Sequence, residues 1–451
     1  MKKLLIAIPL VAGASWAGAS YYAGAQTQSG YDQLLAQLNE FKPFTLVNDE
    51  YYAGVTQSTA ITKVMDSAAA DAKVLFRLHH AISHSPIGMN DGAVRVGAAT
   101  IVTTLVKDDS LPEFLIEGMS DFTDAEPFQI NTEVGFDGQT VNQFVVSGYE
   151  RQYDDVNVMF GGIDYTSTIS GDSFVGSGTV GKLVVSAADG DGELNLSEGV
   201  IQTDLTRIDQ AIYTGEYGVV FDQLSFAGTS MQAGVDLKKI SLVSDTKLAA
   251  GSIDSTAAFS VGEINAPIPV NSAGFDVAIK GISVAGLQSY IDFASQIPML
   301  DAMMMSDPEI VMGMMESYKS LIGPGTSLDY AFRVSNDGGE AKVSYGVSVV
   351  DANSPNYPVN GFDSVETVRD VLNMLKLEAH LDADVAAIDQ SPLAMFMGAP
   401  EAQQYIVSDG VKYTADVTVS DLIVDINGNP LSLELMVGEM LDMPLAAVLE
   451  M

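Results

Sequence analysis

The sequence predicts an α+β, mostly β protein: an N-terminal transmembrane helix followed by a long twisted antiparallel sheet with helices packed on one face. Three observations predict this fold class. An uncharged apolar segment follows two lysines at the N-terminus, alternating apolar and polar residues fill positions 45–265, and helical spacing of apolar residues appears around positions 284–321. Strands at this density, without helices between them, are typical of an antiparallel meander.

The composition excludes several classes of protein. Hydrophobic residues make up 47% of the 451 residues, which argues against global disorder. The 59 Asp and Glu against 21 Lys and Arg give a net charge of −38, so nucleic acid is not an expected partner, because phosphate binding needs clustered basic residues. The chain contains no Cys, which excludes disulfides, thiol catalysis and thiolate metal sites.

The N-terminal segment predicts a membrane anchor. Leu4–Gly24 contains 21 residues without a charge, and as a helix it would span about 30 Å, the thickness of the hydrocarbon core of a bilayer. The preceding lysine pair would stay in the cytoplasm, so the remaining chain, with a charge of −40, would lie in the periplasm. A cleaved secretory signal with Leu4–Val11 as its apolar core is the alternative. The small residues Gly13 and Ala17 have a spacing that allows a homodimer.

After this anchor, which we place at 1–25, the predicted domains follow in three parts. Residues 26–283 form a β-rich region that begins with a short amphipathic helix at Tyr31–Phe41 and continues as alternating strands separated by Gly- and Asp-rich turns. Residues 284–326 form a Met-rich helical hairpin. Residues 327–451 form C-terminal strands with helices, continuous with the same sheet.

The helical hairpin contains the predicted apolar contact surface. Helical spacing extends over Val284–Met305 and Pro308–Leu321, and residues 299–315 hold seven of the 20 Met. Met is flexible and is over-used on surfaces that accept varied apolar partners. The hairpin is expected either to pack across the open face of the sheet or to form a lid over a groove for lipid or a hydrophobic peptide. The residues of this surface are Met303, Met304, Met312 and Met315.

The C-terminal region combines hairpins with helices. Strands are expected on either side of a turn at 336–339, and helices at Asp363–Leu381 and Leu393–Tyr405. The apolar phase of the last long strand changes near Ser420, which predicts a β-bulge there. Asn427-Gly428 predicts a type I′ turn, and the tail Leu431–Met451 is expected to dock as a helix.

Several stretches resemble one known family. They are MKKLLIAIPLVAGASWAGASYYAG, His84-Ser85-Pro86-Ile87, EPFQINTEVGFDG, SAADGDGELNLSEG and VDINGNPLSLELMVG. In this order they resemble the YdgA-like family of Gram-negative inner-membrane-anchored periplasmic proteins, a domain of unknown function. Ser85 stands where Gly is usual in the family, and Ile87 where an aromatic residue is usual. The resemblance implies a retained anchor and a β-rich periplasmic body, and it supplies no catalytic residues.

The histidines are candidates for metal binding. His80 and His84 have the i,i+4 spacing of a metal pair on a helix, but the surrounding pattern predicts a strand. In a strand these residues lie about 13 Å apart, whereas histidine ligands bind a metal at about 2 Å. We therefore expect no metal site, and we interpret His84, Ser85 and Pro86 as a structural turn.

Other motifs fail for want of the required residues. The acids at Asp189, Asp191 and Glu193 resemble a calcium loop, but Leu194 and Val200 occupy the positions that need Gly and Glu. The stretch at 175–178 lacks the Gly-x-Ser-x-Gly spacing of a nucleophile elbow. No catalytic, metal-binding or cofactor-binding residues are predicted.

The sequence thus predicts a non-enzymatic structural or binding role in the cell envelope. The protein would be a single-pass inner-membrane protein anchored through residues 4–24, with its body in the periplasm, and it would hold lipid or an apolar segment. Two alternatives remain open. One is a periplasmic hydrolase whose site assembles from scattered Asp and Ser residues with His84, and the other is an assembly partner of another envelope complex.

Overall fold

A computed structural model provides the fold. The residues it describes are 39, 44–52, 57–66, 74–83, 87–90, 93–96, 99–108, 126–135, 137, 139–190, 192–209, 212–228, 234–267, 269–294, 308–355, 357–358, 361–391, 394–397, 399 and 404–444. They are mostly β, their strands pair antiparallel, and helices are few. This confirms the mostly β, antiparallel part of the predicted fold class.

The chain divides into two compact units. Unit 1 contains Met1–Phe221 and Tyr290–Met314, and unit 2 contains Asp222–Ser289 and Met315–Met451.

Unit 1 is built mostly from short strands joined in a meander, and its last strand, the 17-residue β16, extends beyond Phe221. The strands pair in the order β1–β2–β3–β6–β7–β8–β11–β12–β15–β16, while β9, β10, β13 and β14 pair with one another and β4 pairs with β5. Their bounds are β1 Phe44–Tyr52, β2 Gln57–Asp66, β3 Val74–Ser83, β4 Ile87–Asn90, β5 Ala93–Val96, β6 Ala99–Leu105, β7 Phe128–Val134, β8 Thr140–Val146, β9 Tyr149–Tyr153, β10 Val156–Phe160, β11 Ile163–Ser170, β12 Ser173–Val180, β13 Leu183–Ala187, β14 Gly192–Leu196, β15 Gly199–Asp209 and β16 Ile212–Gly228.

One face of the unit 1 sheet is buried. Alternate residues of β2 are buried, as a strand with one covered face requires. The core of this face includes Val64, Leu78, Ile82 and Ile101. Burial therefore fixes the register of these strands, since a slip by one residue would expose every apolar side chain.

Unit 2 is built from longer strands. They pair in the order β17–β18–β19–β20–β21–β22–β24–β25–β26, and β23 also pairs with β24. Their bounds are β17 Val235–Ala249, β18 Ser252–Asn265, β19 Ser272–Ser283, β20 Ser327–Asn336, β21 Gly339–Val349, β22 Leu375–Asp384, β23 Val407–Ser408, β24 Lys412–Ser420, β25 Ile423–Ile426 and β26 Asn429–Ser432. The pair Asn336↔Gly339 confirms the predicted hairpin between β20 and β21.

The described helices are short. They are α1 Val284–Ala294, α2 Pro308–Leu321, α3 Val368–Met374, α4 Val385–Asp389, α5 Ala394–Met397 and α6 Leu433–Leu441, with a 3₁₀ turn at Gly361–Ser364. α1 and α2 lie close together: a Cβ built on Gly286 would be 2.0 Å from the carbonyl oxygen of Ser320, and one on Gly313 would be 2.4 Å from the ring of Phe293. Glycine is therefore needed at both crossings.

The helix predicted over Asp363–Leu381 is wrong for its second half. α3 ends at Met374, and the chain continues as strand β22. Residues 375–384 alternate apolar and polar side chains, and β22 pairs with β21 on one side and β24 on the other. Pairing with strands distant in sequence therefore decided the structure of this segment. The helix predicted at Leu393–Tyr405 is represented by α5 alone among the described residues.

The bulge predicted near Ser420 is a hairpin turn instead. Asp421 and Leu422 have φ of 53° and 59°, and Ser420 pairs with Ile423 across them. Across a two-residue turn, an even-numbered residue pairs with an odd-numbered one, and paired residues point to the same face of the sheet. The apolar residues therefore change from odd-numbered to even-numbered positions at this turn. The type I′ turn at Asn427-Gly428 is confirmed by φ values of 53° and 81°. In the tail predicted as a helix from Leu431 to Met451, residues 431–432 end strand β26 and α6 forms only over Leu433–Leu441; residues 445–451 lie outside the described residues.

The predicted anchor and the helix at Tyr31–Phe41 lie outside the described residues. Within the part of the chain that the structure describes, no helix is long and apolar enough to cross a membrane.

Candidate apolar binding face

The strands of unit 2 place apolar residues on one face in straight rows. Because paired residues of an antiparallel sheet point to the same side, the strand register shows which side chains are neighbours. One row crosses six strands from β17 to β22, and we call it the central row. Its members are Leu242, Phe259, Phe275, Phe332, Val343 and Leu381.

Three further rows run parallel to the central row on the same side of the sheet. Neighbouring rows are separated by two residues along each strand. We call the four rows together the apolar face. One flanking row contains Val261, Ala273, Val334, Ala341 and Ala383; a second contains Ala257, Val277, Tyr330, Tyr345 and Ala379; a third contains Ile279, Leu328, Val347 and Leu377.

Four aromatic rings form the centre of the apolar face. The ring centroids of Phe275 and Phe332 are 4.5 Å apart, and those of Tyr330 and Tyr345 are 4.9 Å apart. The two pairs are joined by contacts of 6.0 Å and 6.1 Å. Such contacts hold the rings in place, so this part of the face is preformed.

The apolar face is open to solvent along its central row, whereas Val261 and Ala383 in one flanking row are buried. Leu242 is 45% exposed, Phe259 42%, Phe332 44% and Val343 44%. The face spans six strands, which are separated by five strand spacings, so it measures about 24 Å across the strands. Its four rows are separated by three steps of two residues, so it measures about 20 Å along the strands. Soluble monomers rarely expose contiguous apolar patches of more than a few hundred Å², and larger patches mark binding sites. The exposed part of the face is therefore the candidate binding site of unit 2.

The opposite side of the same strands is polar. Arg333 Nη2 and Asp276 Oδ2 are 2.6 Å apart, and Lys412 Nζ and Asp382 Oδ1 are 2.5 Å apart. His380 contacts Asp416 on the neighbouring strand. The charged groups of these strands thus lie mainly on the side opposite the apolar face, a separation that the two-residue period of the strands makes possible.

Unit 1 contains a second group of functional side chains. His80 on β3 lies between Thr62, whose Oγ1 is 2.8 Å from Nε2, and Thr103, whose Oγ1 is 2.9 Å from Nδ1. Burial, together with the charge of His79, lowers the pKa of His80 from 6.5 to about 4. The ring is therefore neutral at pH 7, and both of its nitrogens are engaged by hydroxyl groups. This geometry fits a structural histidine.

The sequence-predicted sites can be placed only in part. His84, Ser85 and Pro86 lie outside the described residues, as do Met303 and Met304. The backbone of Met312 and Met315 belongs to α2, and their side chains lie outside the description. Asp189 follows β13 in the hairpin to β14, and Glu193 belongs to β14, whereas Asp191 lies outside the described residues. Among the described residues no group of three or more His, Asp or Glu could hold a metal ion.

The apolar face itself was missed in the sequence. Its signal is present in the sequence as large apolar residues at alternate positions of single strands, such as Phe259 with Val261 and Tyr330 with Phe332. Alternation alone does not show which residues become neighbours, because the register between strands depends on turns and bulges.

The described residues define a class of mostly β proteins in which an antiparallel sheet leaves one apolar face open. The family model for a bacterial protein of unknown function, DUF945, matches residues 1–434, and the chain belongs to that family. No curated protein and no solved structure matches the chain. The narrower resemblance to the YdgA-like family stays a prediction.

Proposed function

We propose that this protein is a membrane-anchored envelope protein without catalytic activity, whose apolar face binds an apolar ligand. The observation that carries the proposal is the open apolar face, with Phe332 and Val343 at its centre and both 44% exposed. Exposed apolar area of this size costs free energy until it is covered. The four rows of the face consist of aliphatic and aromatic side chains, whose chemistry suits binding of an apolar ligand.

The cellular place in the proposal rests on the N-terminal segment. Leu4–Gly24 has the length and the flanking lysines of a single-pass inner-membrane anchor, and the acidic remainder suits the periplasmic side. The resemblance to the YdgA-like family supports the same topology. Anchoring would hold the apolar face close to a membrane, where apolar ligands are abundant.

A photocrosslinking experiment tests the binding. A benzophenone amino acid at Tyr345 would lie on the apolar face, and the same amino acid at Ser344 would lie on the opposite face of the same strand. We expect illumination of living cells to produce adducts of an apolar molecule from position 345 and none from 344, detected by mass spectrometry of the purified chain. Equal adducts from both positions, or none from either, would contradict the proposal.

The topology has its own test, because the chain has no Cys. The variant Ser344→Cys carries a single thiol on the charged side of unit 2. A membrane-impermeant maleimide should label it in cells whose outer membrane alone has been opened. Labelling that requires disruption of the inner membrane would place the body in the cytoplasm and refute this part of the proposal.

A further inference from the structure

We propose that the ligand of the apolar face is a lipid acyl chain that lies across the strands, along the central row from Leu242 to Leu381. This inference rests on the proposed function and names its ligand class and orientation. The row crosses six strands and is about 24 Å long. An acyl chain occupies half of a hydrocarbon core of about 30 Å, or about 15 Å, so the row has room for its whole length.

Backbone hydrogen bonding favours an acyl chain over a peptide strand. β18, β19, β20, β21 and β22 each pair with a strand on both sides. Their N–H and C=O groups are therefore used within the sheet and do not point out of the apolar face. An extended peptide laid on the face would lose hydration at its own backbone without finding partners, at a cost in free energy. A hydrocarbon chain has no such groups.

Charge favours an acyl chain over a second copy of the protein. Each chain carries −38, so bringing two copies face to face would oppose like charges. On the apolar side of the sheet, Lys238 is surrounded by acidic groups: its Nζ is 2.8 Å from Glu263 and 3.6 Å from Asp236. A lipid with a zwitterionic headgroup fits these surroundings better than one with net negative charge.

Nitroxide quenching tests the ligand and its direction. The full chain, held in a lipid-free amphipathic polymer, carries bimane on a single Cys at Leu242, Val343 or Leu381. The matched controls are Val243→Cys and Ser344→Cys, each adjacent to a labelled position and on the opposite face. The probes are phosphatidylcholines with a nitroxide either near the headgroup or near the end of one acyl chain.

We expect strong quenching at Val343→Cys and at least a five-fold weaker effect at Ser344→Cys. Quenching at Leu242→Cys and Leu381→Cys should respond oppositely to the two nitroxide positions, because these residues lie at opposite ends of the row. Phosphatidylglycerol with the same acyl chains should compete several-fold less well than phosphatidylcholine.

Three results would overturn the inference. Equal quenching on both faces would mean non-specific partitioning. Identical responses at Leu242→Cys and Leu381→Cys would mean that the chain does not lie across the strands. No quenching by lipid, combined with a persistent crosslink from position 345, would mean that the face binds a protein segment or a second copy, and the proposed function would survive without this ligand.

Discussion

Replacing His80 tests how the buried polar side chains of unit 1 respond to pH. His80 lies half-buried between Thr62 and Thr103, and removal from water lowers its pKa from 6.5 to about 4 in the fold. Below pH 6.5, His80 becomes protonated in the unfolded chain, whereas it stays neutral in the folded chain until the pH approaches 4. The fold therefore keeps this stabilisation above pH 6.5 and loses it as the pH falls towards 4.

The magnitude follows from the two pKa values. Between pH 7 and pH 5 the linkage relation gives a loss of about 2 kcal/mol in the free energy of unfolding. The variant His80→Gln has no titrating group at this position and should lose about 2 kcal/mol less over the same interval. Ile82→Ala is the matched control, since it weakens the same strand but retains His80.

Hydrogen–deuterium exchange against urea concentration measures the local free energy of opening for strand β3 at both pH values, after correction for intrinsic exchange rates. We expect Ile82→Ala to keep the pH dependence of the unchanged protein and His80→Gln to flatten it. If all three proteins lose the same free energy between pH 7 and pH 5, then His80 is not held neutral by burial and the reasoning fails.

Three further predictions concern close approach, ion pairing and backbone strain. In Gly176→Ala the new Cβ would lie 2.1 Å from Tyr165 Oη. We therefore expect unit 1 to lose about 1–3 kcal/mol of stability, measured by urea unfolding. Unchanged stability would contradict this packing. Arg369→Gln removes the ion pairs of 2.5 Å to Glu434 and 2.8 Å to Asp442, so α6 should become more sensitive to protease at low salt; a difference that persists at about 1 M salt would exclude ion pairing as the cause. Ala250 has φ of 51° beside Gly251 in the β17–β18 turn, and Ala250→Asn should raise stability by about 1 kcal/mol; a decrease in urea unfolding would show that the turn is not strained.

The sequence was informative wherever structure is determined locally. The turns at Asn427-Gly428 and between β20 and β21 contain residues that adopt positive φ readily, and both were predicted. The turn at Asp421-Leu422 was mistaken for a bulge, because Leu rarely adopts a φ of 59° and gives no turn signal. There the pairing of Ser420 with Ile423 imposes the conformation.

The candidate site could not be predicted for a related reason. The Met-rich hairpin has a strong local signal, the helical spacing of its apolar residues. The apolar face, in contrast, depends on the alignment of residues as distant along the chain as Leu242 and Leu381. A bulge shifts the register between β18 and β19, where Ile253 pairs with Ile282 and Ser255 pairs with Ile279. Such irregularities decide which aromatic residues meet, and they are not visible in the alternation of single strands.

The net charge acquires a physical role once the apolar face is known. An exposed apolar patch promotes self-association unless something opposes the approach of a second copy. A charge of −38 per chain provides such an opposing force at long range and leaves a neutral hydrocarbon chain unaffected. The acidity therefore does more than argue against nucleic acid as a partner: it opposes the approach of further copies of the protein, which favours the proposed acyl chain over a second copy as the ligand of the apolar face.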